Sequence, residues 1–235
     1  ITGNADLSSG AFTAGTSTIS LTYTGATATS FIGSTTTYNN IQIAPGSGVL
    51  TFSGAFTFAN MTMASAGTKT VKFDDAATFT MTGDNFLSGT AGNLITISSD
   101  SAGNAFDIVK ASGTVSVDYI SLQDSAASGG AAFYAGANST NVSGNSGWIF
   151  SAPGQPIIGT VYGTDETTPV ASGPLVRVKV DGAGDYSANA NGSGVYTISS
   201  VATTAGNPLT IYLDTGGGIT GSTFTVATGS DMTNI

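Results

Sequence analysis

The 235-residue chain contains neither histidine nor cysteine. The first absence removes the side chain that ordinarily moves protons at neutral pH. Together the two remove thiol nucleophiles, disulfides and the commonest protein ligands of zinc and haem iron. Charge is also scarce, since Asp, Glu, Lys and Arg make up 8% of residues against roughly 25% in an ordinary soluble domain. Five cations stand against fourteen anions, a net charge of −9, and no basic run could track a phosphate backbone. Nucleic acid is therefore not expected as a partner. No apolar stretch reaches the roughly 20 residues that cross a bilayer, and Ile1 opens the sequence without a charged, apolar leader. These features read as a mature or excised segment of an exported, extracellular or cell-surface protein with no membrane span. They favour no cofactor and no enzymatic activity, and they assign no catalytic, cofactor-binding or metal-binding residue.

Polarity comes instead from 37 Thr, 29 Ser and 33 Gly. Ala is embedded among these residues, and no window repeats apolar positions at i, i+3, i+4 and i+7 behind a cap, so helices are not expected. Short alternating runs recur: Ile19–Tyr23, Ile41–Ile43, Leu50–Phe52, Met61–Met63, Val71–Phe73, Ile95–Ile97, Val115–Val117 and Ile120–Leu122. Each places its apolar residues on one face of a strand, which predicts an all-β protein.

The spacing carries more information than the runs themselves. Tyr38-Asn39-Asn40-Ile41-Gln42-Ile43 returns twenty positions later as Phe58-Ala59-Asn60-Met61-Thr62-Met63. Phe52, Phe73, Ile97 and Val117 suggest a second column. A period near twenty predicts a right-handed parallel β-helix over residues 1–150, in six or seven coils that stack about 4.8 Å apart and bury a shared apolar column. A meandering antiparallel sandwich is the competing arrangement. A Pro/Gly linker at 151–156 leads into residues 157–235. There, five or more short strands and the turn Asn191-Gly192-Ser193-Gly194 predict a small antiparallel, Ig-like β-sandwich.

The stretch containing Val117-Asp118-Tyr119-Ile120-Ser121-Leu122, Gly130–Gly136 and Gly147-Trp148-Ile149-Phe150 resembles the closing segment of β-helical regions in large bacterial secreted surface proteins. The unit opening with Ile158-Gly159-Thr160-Val161 and containing Asn191–Ile198 is similar to the carboxypeptidase-regulatory-like or Cna-B-like sandwich modules of such proteins. The resemblance implies an extracellular structural or adhesive setting and brings no catalytic residues with it.

Several residues invite a chemical reading. Asp74-Asp75 could serve calcium or sugar cleavage, but adjacent strand residues diverge, so a solvated turn beside Lys72 explains the pair better. Asp118 and Asp124 lack an evident cationic partner for stabilising a developing anion. Asp181-Gly182-Ala183-Gly184-Asp185 reads as a hairpin turn rather than a calcium loop. The resemblance to Cna-B-like modules implies that an intramolecular isopeptide crosslink, which some of them carry, would draw here on Lys179 and Glu166, in an order that departs from the usual arrangement. Tyr23, Tyr38, Phe52, Phe73, Phe133 and Tyr134 could stack on sugars, but their alternation favours the interior.

A β-helix exposes unpaired backbone at its ends. Trp148 is expected to plug the last coil. Residues 1–12 show no charged or helical cap, so Ile1, Leu7, Phe12, Ile19, Leu21 and Tyr23 are candidates for an interface with another copy. The expected role is an extracellular structural protein, a subunit of a self-assembling surface filament or surface layer. An adhesin stalk or carbohydrate-binding module, or a phage fibre, is the alternative, with surface glycans as possible partners.

Overall fold

The computed structural model describes residues 1–9, 13, 15–151, 153–203, 206–214, 221–228 and 232–233. The chain divides into two compact units, Ile1–Ala152 and Pro153–Ile235. All regular structure among the described residues is β-strand, as the scarcity of helix signals implies. Among the described residues no helix is long and apolar enough to cross a membrane.

The first unit is a solenoid of parallel strands in about six turns. One sheet runs Ala5–Asp6, Thr29–Ile32, Val49–Ser53, Lys69–Phe73, Ile95–Ser99, Ile120–Gln123 and Thr140–Ser143, each strand pairing with the next in this order. A second sheet runs Thr18–Leu21, Thr37–Ile43, Phe56–Met63, Thr78–Met81, Phe106–Lys110 and Ser125–Ser128. From the fifth turn onward a third face is added by Thr114–Ser116, Ala132–Tyr134 and Trp148–Ile149. The chain alternates between sheets, so strands adjacent in a sheet are separated by a whole turn, as parallel pairing requires.

Stacking brings like residues together. Tyr38 pairs with Phe58, Asn40 with Asn60, Ile41 with Met61 and Ile43 with Met63, the register that the twenty-residue repeat implies. Phe31 pairs with Phe52, and Phe52 with Phe73. The Phe52 and Phe73 rings stack at 5.3 Å, and Phe73 stacks on Phe106 at 4.7 Å. Tyr38, Phe31, Phe52, Phe58, Phe73, Phe79 and Phe106 are all fully buried. Burial of each such side chain contributes about 1.5–3 kcal/mol, so the aromatic file is one of the sources of cohesion along the stack, beside the equally buried Ile41, Met61, Val71 and Ile97. Of the six aromatics considered for sugar stacking, Tyr38, Phe52, Phe73 and Phe133 lie in the core, while Tyr23 and Tyr134 are half-buried.

The expected second column needs correction. Phe52 and Phe73 do align, but Ile97 pairs with Val71, and its partner in the following turn is Leu122. Val117 lies beyond the third-face strand Thr114–Ser116, where its N–H donates to the Tyr134 carbonyl at 2.9 Å. The cause is uneven turn length. Five residues join Met63 to Lys69, whereas thirteen join Met81 to Ile95, and the longer detour displaces every later position in a fixed count.

The second unit has a four-stranded sheet, ordered Ala183–Asn189, Leu175–Val180, Pro208–Leu213 and Ser222–Val226, with antiparallel pairing throughout. A three-stranded sheet places Gln155–Thr160 between Val195–Val201, antiparallel, and Met232–Thr233, parallel. Ile157, Tyr196, Ile198 and Val201 from the smaller sheet and Val176, Val178, Leu209 and Ile211 from the larger share one apolar cluster. Val180 faces Ala183 across Asp181 and Gly182, whose φ values of 51° and 73° define a two-residue hairpin turn with both central residues left-handed.

Candidate functional site

One corner of the solenoid collects carboxylates. Asp74, Asp100 and Asp124 each follow a strand of the first sheet. Gly54 N–H donates to Asp74 Oδ2 at 3.3 Å, Asp75 N–H to Asp100 Oδ1 at 3.1 Å and Gly103 N–H to Asp124 Oδ2 at 2.9 Å. Asp74 Oδ1 also accepts from Ala76 N–H at 3.0 Å. The carboxylates thus satisfy backbone donors left over at turns, some of them in the neighbouring coil. The spacing that separates Asp74 from Asp75 in sequence does not separate them from Asp100, because Phe73 and Ser99 are in register. Carboxylate oxygens of Asp74, Asp75 and Asp100 lie within 4.8 Å of one another. These three could contribute ligands to a hard cation, although calcium takes about 6–8 oxygens.

Asp118 is likewise engaged at a turn: its Oδ1 accepts from Tyr119 and Asn138 N–H groups, and its Oδ2 from Asn138 Nδ2 at 2.7 Å. Asp124 is buried. Neither has a cationic side chain within ion-pair distance among the described residues, and the pairing of Lys110 Nζ is with Asp84 at 3.1 Å.

Lys69 occupies an inward position of its strand, with Val71 and Phe73, and only 4% of it is exposed. Burial lowers its ammonium pKa from the usual value, an effect partly offset by Tyr23. A small cavity beside it is lined by Leu21, Tyr23, Ile43 and Leu50 among others. Alternation in Lys69-Thr70-Val71-Lys72-Phe73 does set Lys69 on the face of Val71 and Phe73 and opposite Lys72, provided the strand reaches back to Lys69; a strand read only from Val71 leaves that residue unassigned.

Asn40, Asn60 and Asn85 form a ladder along the stack. Asn60 Nδ2 donates to Asn40 Oδ1 at 2.9 Å, and Asn85 Nδ2 and N–H donate to Asn60 Oδ1 at 3.1 and 3.2 Å. The first two members were visible in the repeat; the third was hidden by the longer turn.

The candidate interface residues are dispersed between surface and core. Ile1 is 46% exposed, Leu7, Ile19 and Tyr23 are half-buried, and Leu21 is buried. Phe12 lies outside the described residues. The Ile1 ammonium donates to the Ser20 carbonyl at 2.7 Å, and Thr22 N–H donates to the Ile1 carbonyl at 2.9 Å, so this first residue lies along the outer strand of the second sheet. Trp148 belongs to the core, 6.3 Å from the Phe86 ring and 5.2 Å from Phe133, and its indole N–H donates to Ser125 Oγ at 3.0 Å.

In the second unit, Arg177 is held between Asp185, at 2.8 Å, and Asp214, and both carboxylates raise its pKa. Lys179 alternates with the buried Val176 and Val178, while Glu166 stands in an exposed turn at φ 57°. In that same turn the Thr168 hydroxyl and the Thr168 and Thr167 N–H groups donate to Asp165, which lowers its pKa to about 2.

Comparison with protein-family models, curated proteins and solved structures finds no match for this chain.

Proposed function

We propose that the protein is an extracellular structural subunit, whose copies join through open sheet edges into a filament or surface layer. The observation that supports this reading is a set of terminal strands with apolar side chains in solvent. All four residues of Thr140–Ser143 are exposed, with Val142 at 49%, and this strand has a neighbour on one side only among the described residues. Ser222–Val226 has the same edge position in its sheet and exposes Phe224 at 68% and Val226 at 49%. Unpaired edges of this kind are templates for strand addition, and soluble proteins usually blunt them with charge, proline or a covering segment. The low charge content of the chain weakens mutual repulsion between copies.

In the same reading, the solenoid winds in the right-handed sense that parallel crossovers overwhelmingly prefer. The second unit is a sandwich module of Ig-like or Cna-B-like type, supported by the single apolar cluster that its two sheets share. The role is mechanical, and the carboxylates serve turns rather than catalysis.

Negative-stain microscopy and light scattering on the full chain test the proposal. The expected result is particle mass that grows with concentration as fibres or sheets, and Val142→Lys or Phe224→Lys reduces that growth without lowering the melting temperature. Dispersed monomers at high concentration overturn it.

A further inference from the structure

The thirteen-residue connection between Met81 and Ile95 is eight residues longer than the five-residue connection between Met63 and Lys69 in the preceding turn, and it buries Phe86 and Leu87 in the core. Residues of the two connections line a cleft of about 400 Å³, within the size range of small-molecule sites. Thr62, Met63 and Ser65 come from the shorter turn, Asn85 and Thr90 from the detour, and Ser116 from the turn beyond.

The wall of this cleft is fixed in place. Met61 N–H donates to the Asn85 carbonyl at 3.0 Å, and Asn85 is tied to Asn60 through the ladder. Ser88 Oγ donates to the Asp118 carbonyl and accepts from Asp118 N–H, both at 3.0 Å, and Gly89 N–H donates to the same carbonyl at 2.9 Å. Gly89 is packed so closely that a Cβ would lie 2.4 Å from the Asn93 and Tyr119 carbonyl oxygens. Thr90 and Asn93 exchange two backbone hydrogen bonds of 3.2 and 2.8 Å. A wall held from both neighbouring turns has little ordering entropy left to lose when a ligand arrives.

The chemistry of the lining selects the ligand class. Among the described residues, no side chain lining the cleft is charged, so nothing there would compensate a desolvated phosphate, carboxylate or ammonium. The hydroxyls of Thr62, Ser65 and Ser116 make no side-chain hydrogen bond to a described residue, and Asn85 Oδ1 receives none. Each hydroxyl can donate and accept, the capacity that matches a ligand which is itself a set of hydroxyls. Met63 adds a polarizable apolar surface for the C–H face of a sugar ring. The molecule's charge of −9 further disfavours polyanions. We infer that this cleft is a binding site for a neutral saccharide of about two sugar units. The inference stands apart from assembly, since none of these groups belongs to Thr140–Ser143 or Ser222–Val226, the edges on which assembly is argued.

Saturation-transfer difference NMR with maltose, cellobiose, lactose and N,N′-diacetylchitobiose tests it on the full chain, whether dispersed or assembled. At least one of these neutral disaccharides is expected to give a saturable signal. Ser116→Phe and Thr62→Phe, which fill the cleft from opposite turns, weaken that binding by about tenfold or more and leave the melting temperature in place. No saturable signal from any of the four overturns the assignment. So does unchanged binding in both variants, or tighter binding of glucuronic acid or glucosamine than of the neutral sugars.

Discussion

Lys69 places an ammonium group where its strand neighbours Val71 and Phe73 place hydrocarbon. Its pKa in the folded chain lies below the value near 10.5 that it regains on unfolding. Below the depressed folded value it is charged in both states and the folded state carries the desolvation cost. As pH rises through the depressed folded value toward 10.5, the folded state sheds its proton first and the cost disappears. Lys69→Met is therefore expected to stabilise the first unit as long as the pH lies below the depressed folded value. Denaturant titrations at rising pH should show that advantage shrinking; an advantage that grows would contradict the burial argument. Asp165 has the opposite sign. Its carboxylate is stabilised by hydrogen bonds in the folded turn, so its contribution is complete above the ordinary carboxylate range and is lost as pH falls through about 2. Melting curves of Asp165→Asn and the parent should differ at pH 7 and converge at the acid end.

Turns of the solenoid are joined by files of identical or similar residues, and damage to a file is felt on both sides. Phe73 touches Phe52 and Phe106 by stacking and Phe79 edge-on at 4.8 Å. Phe73→Ala is expected to cost about 3–5 kcal/mol, read as a lower denaturant midpoint for the first unit. Asn60→Ala removes the middle of the amide ladder and leaves Asn40 and Asn85 without it; about 1–2 kcal/mol of loss is expected, and Asn85→Ala at the end of the ladder should cost less. Strand positions and their inward faces were legible in the sequence, because alternation is a local signal: the runs around Ile41, Phe52, Met61 and Phe73 all form strands with those residues inside. Register was legible where turn length stayed near twenty, from Tyr38 to Met63. It failed past Met81, where thirteen connecting residues shift Ile97 against Val71 and make room for a third face.

Across the whole first unit, each turn is supported only by the turns beside it, so stability is expected to fall toward the ends of the stack. Hydrogen exchange should be slowest in Phe56–Met63 and Lys69–Phe73 and fastest in Thr140–Ser143; uniform protection would argue against a stack of semi-independent turns. The sequence made the all-β character and the solenoid legible through composition and period. The cleft was not legible, because its residues, from Thr62 to Ser116, come from three turns and are ordinary Thr, Ser and Asn in a chain full of them. The meeting of Asp100 with Asp74 was hidden for the same reason, since neither local charge nor spacing marks a contact made one uneven turn away. The detour before Ile95 also has a consequence for how such a molecule can change over generations. Extra length there is shared between surface and interior: Phe86 and Leu87 enter the core, where Phe86 meets Phe58, Phe73 and Trp148, while Thr90, Ala91 and Gly92 stay exposed, so an insertion that reshapes a recognition surface must also bring side chains that fill the stack.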